Sequence, residues 1–570
     1  NGTYKTAYKI GQYKPLDLGT EGTINMQIVA MEADELASGG YAPLTFVGME
    51  LLNTKKPLKA NASRIAWDNS NNPLRNFLLN EVNALMPSNI KSRVQKVNKV
   101  SYWELNSVDR ISIETLWIPS SREIDTKSHY ESSGVKYDAV YGKYNAGYAI
   151  PNGIKTQNGV ATSWYLRGTS EEDSNAQNNY VDAQGNRNYK SDGTQSYGIC
   201  LGFCLGEYNP SFESTSIDVT DAYAVQWDYS QDKPKLARGG LASAFADPQP
   251  ATSNSETGTS PFDNILPWSG MKRYNVIDGQ ISYSEDDAGF DETLYDTVIY
   301  IPEFYYAVEK DTTNQRWTWS ISPVAKTGYT KHPASGRYVG RFHTSGDSTE
   351  VFSKSGVMPL VSTSQTDFRT YSHNKGSKWY MLDFATWSAI QMLYLVEYAH
   401  FNSQDKLGKG WNTGSVGQMG GTTGAAYHTI KATGAHNQYR WIEDPFSNVL
   451  DNIDGFVASA KAVYTGVSDT GYAGDTSDLT ETGLTLPSSG FATGLGYSAN
   501  APWAFIPDTA SGGSGTTYLT DNVHSSAGVR VARVGGSYNS DDNYGVFSLY
   551  ANGNASSPYT NCGSRLIYIP

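Results

Sequence analysis

Near the N-terminus, apolar residues come in short β-branched runs, of which Ile24-Asn25-Met26-Gln27-Ile28-Val29 is the clearest, and such runs predict extended strands. The period then changes. Leu74, Phe77, Leu78, Val82 and Leu85 recur at three- and four-residue steps behind Pro73, which predicts an amphipathic helix with proline in its first turn. Ile199-Cys200-Leu201-Gly202-Phe203-Cys204 reads as a further strand. From about 208 to 290 the pattern loosens, and the stretch 246–261 is rich in Pro, Ser and Thr, so a linker or loop-rich connection is expected there. Strands resume at Thr297-Val298-Ile299-Tyr300-Ile301 and Trp317-Thr318-Trp319-Ser320-Ile321. Phe384, Trp387, Ile390, Leu393, Tyr394 and Glu397 then trace a helix, with Asp383 as its N-cap, that should pack on a sheet. Beyond residue 400, Gly and Asn multiply and strands shorten, and no 20–50-residue repeat is visible.

Composition sharpens this picture in one direction. The chain holds 40 Tyr, 55 Gly and 13 Trp but only 18% charged residues. Tyr and Trp offer rigid amphipathic contact area and Ser, Gly and Asn adaptable hydrogen bonding, a mixture found on binding surfaces, although turn-rich β structure accounts for part of it. A net charge of −13 without a basic run argues against a nucleic-acid partner. No window approaches the ~18 consecutive apolar residues of a membrane span, so no membrane insertion is expected. Asn1-Gly2-Thr3 carries neither an initiator Met nor a signal pattern, which suggests a mature or trimmed, soluble chain. Of three cysteines, Cys200 and Cys204 lie four residues apart on one strand, about 13 Å, too far for a bridge, and are expected to be buried free thiols.

These elements predict an α+β, β-rich chain of several modules, divided as 1–207, 208–290 and 291–570. In the first, Trp67-Asp68-Asn69-Ser70, Leu74-Arg75-Asn76-Phe77-Leu78, Asp109-Arg110-Ile111-Ser112, Trp117-Ile118-Pro119-Ser120 and Ser163-Trp164-Tyr165-Leu166-Arg167 stand in an order that resembles an uncharacterised domain family of phage and Gram-positive surface proteins. In the last, Arg533-Val534-Gly535-Gly536-Ser537-Tyr538, Gly545-Val546-Phe547 and Gly563-Ser564-Arg565-Leu566 close the chain, and Tyr439-Arg440-Trp441-Ile442-Glu443-Asp444 through Asp454-Gly455 lies upstream. Together they are similar to the C-type-lectin-like fold of diversity-generating retroelement variable proteins, shared with the formylglycine-generating enzyme superfamily. That resemblance implies a phage-tail or cell-surface receptor-binding protein, at a virion tail tip or outside a cell. Its partner would be a host surface protein or glycan, and it would be presented as a homo-oligomer, a trimer for example.

The stretch 537–561 lies between these scaffold motifs, and 16 of its 25 residues are Asn, Tyr, Ser or Asp. In the resembled family this mixture arises from adenine-directed change of Asn-type codons. The candidate ligand-binding residues are Tyr538, Asn539, Ser540, Asp542, Asn543, Tyr544, Ser548, Tyr550, Asn552, Asn554, Tyr559 and Asn561. Trp441, Phe446 and Trp503 are secondary candidates, with core packing the commoner fate of such residues. Val529, Val531, Phe547, Leu549, Leu566 and Ile567 are expected to supply the core beneath.

Catalytic readings find less footing. The oxidases of the resembled superfamily use a thiol pair, and only Cys562 falls in the last module. The eight histidines show no metal-binding spacing, and no nucleophile-elbow or phosphate-loop motif occurs. Acidic pairs such as Glu285-Asp286-Asp287 or Asp451 with Asp454 are too common among 57 Asp and Glu to point to glycoside hydrolysis or a cation. No catalytic residue, cofactor or metal is therefore expected. A structural virion or surface protein is the main rival reading, a carbohydrate-active enzyme the lesser one.

Overall fold

A computed structural model of the chain describes residues 8–570, apart from 38, 60–64, 104–107, 125–136, 138–152, 171–176, 192, 207–209, 253–257, 423–428, 432–434, 469 and 541–542. It is β-rich and divides into two compact units, Asn1–Asn209 and Pro210–Pro570.

In the first unit an antiparallel sheet runs in the order Tyr13–Asp17, Thr23–Ala30, Leu44–Gly48, Gly202–Leu205 and Leu116–Trp117. The expected helix follows Pro73 as a continuous helical run of Pro73–Asn76, Phe77–Val82 and Asn83–Leu85, whose middle stretch winds more widely. Asn72 caps it, its side-chain oxygen accepting from the Arg75 N–H at 3.0 Å. Leu74, Phe77, Leu78 and Val82 are buried against Trp67, Trp117 and Trp164, and Leu85 packs at the edge of this core. Cys200 and Cys204 are buried free thiols.

In the second unit the expected helix is Phe384–Tyr398, capped by Asp383, whose carboxylate accepts from the Thr386 N–H at 2.7 Å. All of its residues are buried, so it is a central strut and not a surface helix laid on one sheet. It touches the long strand Leu450–Ser459 and also Tyr223–Asp228 and Arg316–Ser322. Its one charged residue, Glu397, is held by Arg440 and by the Tyr439 hydroxyl at 3.0 Å.

This strut explains a correction. Of the segment 208–290, expected as a linker or loop-rich connection, residues 210–290 belong to the second unit and supply part of the helix's cover. Tyr223–Asp228 pairs with Arg316–Ser322, and Trp227, Phe262 and Trp268 are fully buried, the last donating its indole N–H to Leu393 O at 3.0 Å. The apolar-poor stretch 246–261 interrupts the segment, and the strand Tyr223–Asp228 before it is buried at consecutive positions with no simple period, so its burial leaves little periodic trace.

Two sheets frame the candidate face. One runs Gln280–Ser284, Arg273–Ile277, Asp296–Ile301, Arg337–Gly340, Leu566–Tyr568 and Trp379–Met381. The other runs Thr480–Thr485, Ala462–Thr465, Leu450–Ser459, Val529–Val534, Leu549–Gly553, Asn522–Ser525 and Gly490–Phe491, with Cys562–Ser564 parallel to Leu450–Ser459. Val531, Phe547, Leu549, Leu566 and Ile567 are core as expected, whereas Val529 is 55% exposed at the start of its strand. Among the described residues, no helix is long and apolar enough to cross a membrane.

Candidate functional site

The upstream and C-terminal sequence motifs, far apart in the chain, meet in this second sheet. Asp451 lies opposite Val534 on one side and Gly563 on the other. Arg565 fastens the junction: its Nε donates to Asp451 Oδ2 at 2.9 Å, and its other nitrogens donate to the carbonyls of Arg341 at 2.9 Å, Asp444 at 2.8 Å and Glu443. His343 bonds the second Asp451 oxygen at 3.0 Å. Arg565 is wholly buried, and a planar guanidinium is the side chain that can serve so many acceptors at once.

The glycine pair of the closing motif has an equally local cause. Gly535 has φ +76°, and a Cβ there would stand 3.0 Å from Pro445 O. A Cβ on Gly536 would stand 2.7 Å from Phe446 O. Only glycine lets this turn lie against the upstream motif.

The segment that follows is pinned from beneath. Val546 O accepts from the Gln391 side chain at 2.9 Å and from the Trp387 indole at 3.2 Å, both on the central helix. Ser403 Oγ accepts from the Val546 N–H at 3.0 Å, and Asp521, whose burial raises its pKa well above the carboxylate range, accepts from the Phe547 N–H at 2.8 Å. Tyr544 therefore stands on an anchored turn.

Above this base lies an open concavity of about 340 Å³, lined by Leu450, Arg533, Asn539, Ser540, Tyr544, Tyr550, Asn552, Tyr559 and Asn561. Seven of the twelve predicted residues are thus brought together around one hollow. His524, Tyr550 and Tyr544 form a stack along one wall, His524 to Tyr550 at 4.7 Å and Tyr544 to Tyr550 at 5.4 Å between ring centres. Ser537 Oγ bonds Asn539 at 2.7 Å and accepts from Asn561 at 3.3 Å, tying the rim together.

Arg533 forms the floor. Its guanidinium lies 4.3 Å from the Tyr559 ring centre and 5.8 Å from that of Tyr550, and donates to Asn552 Oδ1 at 2.6 Å and Cys562 Sγ at 3.4 Å. The residue is 6% exposed, its buried Nε–H meets no acceptor among the described residues, and none of their carboxylates pairs with it. Burial first, and Arg533 after it, lowers the His524 pKa; burial and then Tyr544 raise that of Tyr550. Both rings are therefore neutral near pH 7 beside a fixed cation.

The other predicted residues lie elsewhere. Ser548 is a correction: it is 1% exposed, and its hydroxyl accepts from the Gly545 N–H at 3.0 Å, so it shapes the turn and faces no solvent. Tyr538 is half-buried beside the loop that bonds its carbonyl through the Gly414 N–H at 3.0 Å. Asn543 is half-buried and Asn554 exposed, the latter bonded by Arg530; neither lines the hollow. Asp542 lies outside the described residues. Trp441, Phe446 and Trp503 belong to the core. Arg533, Leu450 and His524 were missed because they sit in or beside scaffold strands. The Arg of the closing motif is the one signal the sequence offers, and its place between core residues of a strand marks it as scaffold.

Among the described residues, one trio, His436, Glu443 and Asp444, has ligand-type atoms within 4.8 Å of one another. Protein donors already fill it. Glu443 accepts from the N–H groups of Gly420 at 2.7 Å and Thr422 at 2.9 Å, and Asp444 from His436 Nδ1 at 2.5 Å and Ser447 Oγ at 2.7 Å. Burial pulls the His436 pKa down, but Asp444 and Glu443 outweigh it and raise it to about 9. The trio is a hydrogen-bonded ion cluster under the Trp411 ring.

No family model matches the sequence, and no curated protein matches it.

Proposed function

We propose that the second unit is a recognition domain of C-type-lectin-like fold, of the kind found in diversity-generating retroelement variable proteins, and that the face at 537–561 binds its ligand without covalent chemistry. The observation that carries this reading is the hollow itself. Seven residues picked out by a Tyr, Asn and Ser pattern line one concavity, while Gly535, Gly536 and Arg565 are consumed by the scaffold beneath it. Side chains free to vary are thus separated from side chains that are not.

The chemistry suits recognition. Tyr544, Tyr550 and Tyr559 line the hollow with aromatic surface against which a sugar ring or a planar polar group can pack, Tyr550 being itself held between His524 and Tyr544, and Asn539, Ser540, Asn552 and Asn561 supply donors and acceptors at the rim. Arg533 adds a cation at the base, in a setting where water is partly excluded. A surface protein or glycan on a host cell fits this set of groups. A virion tail tip or cell surface is the corresponding location, where several copies per particle would multiply a modest single-site affinity.

The experiment is to sequence the encoding locus across a population and compare codons 528–570 with any near-copy beside it. Substitutions concentrated at codons 539, 540, 544, 550, 552, 559 and 561, matching adenines of a template, are expected. Uniform variation, or an invariant segment with no near-copy, would remove the diversified part of the proposal.

A further inference from the structure

The first unit contains a group of charged side chains that the recognition face does not use. Lys99, on the strand Val97–Trp103, is 1% exposed, and its ammonium lies 3.5 Å above the Trp117 ring centre. It donates to Asp34 Oδ1 at 2.5 Å, to Glu123 Oε1 at 2.9 Å and to the Tyr137 hydroxyl at 2.9 Å. Asp34 and Glu123 are 0% and 4% exposed. Their environments differ. Asp34 receives hydroxyl donors, Thr45 Oγ1 at 2.5 Å and the Tyr137 hydroxyl at 3.2 Å to both oxygens. Glu123 is held as a carboxylate by Arg167 Nη2 at 2.8 Å and the Ser120 N–H at 2.8 Å.

We propose that Lys99 and Asp34 condense spontaneously into an intramolecular isopeptide bond, with Glu123 as the proton-transfer group. The amine and carboxyl are already in contact in a water-poor pocket, a placement that removes most of the entropic barrier to their reaction. In the reacting state a proton crosses from the Lys99 ammonium to Asp34, leaving a neutral amine and a neutral carboxylic acid. The nitrogen lone pair attacks Asp34 Cγ, and the Thr45 and Tyr137 hydroxyls bond the oxygen that gains charge. Glu123 takes a proton from the nitrogen and passes it to the departing hydroxyl. The C–N bond forms, the C–O bond breaks, and one water leaves; no electrons change hands.

Charge accounting favours the product. Two buried cations and two buried carboxylates become one pair, Glu123 with Arg167, and a neutral amide, which removes the burial of one ion pair. Asp34 and Glu123 raise the Lys99 pKa above its ordinary value against the opposing effect of burial, so the neutral amine is a minor species. Slow, single-turnover maturation after folding is the expected behaviour.

Intact-mass spectrometry of the denatured full chain tests this. The expected mass is lower than the sequence mass by one water, and digestion should yield a branched peptide joining Lys99 to Asp34. Lys99→Arg should stay at its own sequence mass. Asp34→Asn should lose ammonia in place of water and converge on the product mass of the native chain. Glu123→Gln should slow or abolish the loss. A folded native chain that keeps its full sequence mass after prolonged incubation overturns the proposal. So does a branched peptide joining Lys99 to Glu123, or a water loss that maps to any other residue.

Discussion

Replacing Arg565 with Met keeps the length and apolar stem of the side chain but removes the guanidinium donors at the junction of the two sequence motifs, leaving the strand pairing and the Asn452 and Ser564 side-chain bonds in place. Asp451, 1% exposed, would then lose its guanidinium partner and retain only His343. The carbonyls of Glu443 and Asp444 would lose their guanidinium donor as well, while Arg341 O would keep the Glu443 N–H at 3.0 Å. Breaking a buried ion pair by removing one partner costs roughly 3–5 kcal/mol, and the lost guanidinium bonds to the carbonyls place the expected cost at about 4 kcal/mol. For a large unit, at about 2 °C per kcal/mol, a fall in the melting midpoint of about 8 °C is expected. Hydrogen exchange should locate the loss in Leu450–Ser459, which holds Asp451, and in Cys562–Ser564, the paired strand that Arg565 follows. Arg565→Lys restores charge without the planar fork and should recover only part of the loss. A midpoint within about 2 °C of the native chain, with unchanged exchange in both strands, would refute the assignment of Arg565 as the fastening between the motifs.

Other outcomes follow from the same structure. Gly535→Ala should cost about 1–3 kcal/mol in a urea titration, because φ +76° disfavours any side chain and Pro445 O stands in the way. The His436 pKa is raised to about 9 in the folded state, above its ordinary value, so its contribution is fully present below about pH 6.5 and is lost as pH rises through about 9. Urea midpoints at pH 6 and pH 10 should differ, and the difference should shrink in His436→Gln. Ser548→Ala removes the acceptor for the Gly545 N–H and should lower stability by about 1 kcal/mol without a direct ligand contact to lose, so any loss of binding should be no larger than the loss of fold.

How far the sequence foretold this molecule depends on what each residue's job was. The two expected helices were legible, as were Pro73 in the first turn of one and the Asp383 cap of the other, because these residues meet local backbone needs; the Asn72 cap was not foreseen. That the central helix is covered all round was not, since part of its cover comes from Trp227, Phe262 and Trp268, in a region interrupted by the apolar-poor, Pro-, Ser- and Thr-rich stretch 246–261 that imitates a linker. The candidate face was largely legible as a compositional run, yet composition could not tell Tyr544, which lines the hollow, from Ser548, which folds back on the Gly545 N–H. Arg533 was hidden for the opposite reason. A strand position between core residues reads as scaffold until the structure shows its guanidinium against the Tyr559 ring. The Lys99, Asp34 and Glu123 cluster draws on separate segments and has no sequence signature at all.

The central claim is that the hollow between Arg533, Tyr544, Tyr550 and Asn552 is where this protein meets its ligand. The most direct test is saturable binding of the full chain to a panel of immobilised glycans and host-type cell surfaces, set beside Tyr544→Ala and Asn552→Ala variants shown to melt with the native chain. The account expects saturable binding to at least one surface and a loss of tenfold or more in each variant, about 1.4 kcal/mol per decade. Equal binding by native and variant chains, or no saturable binding to any surface while the variants change only the oligomeric state, would contradict it and assign the face to a subunit interface.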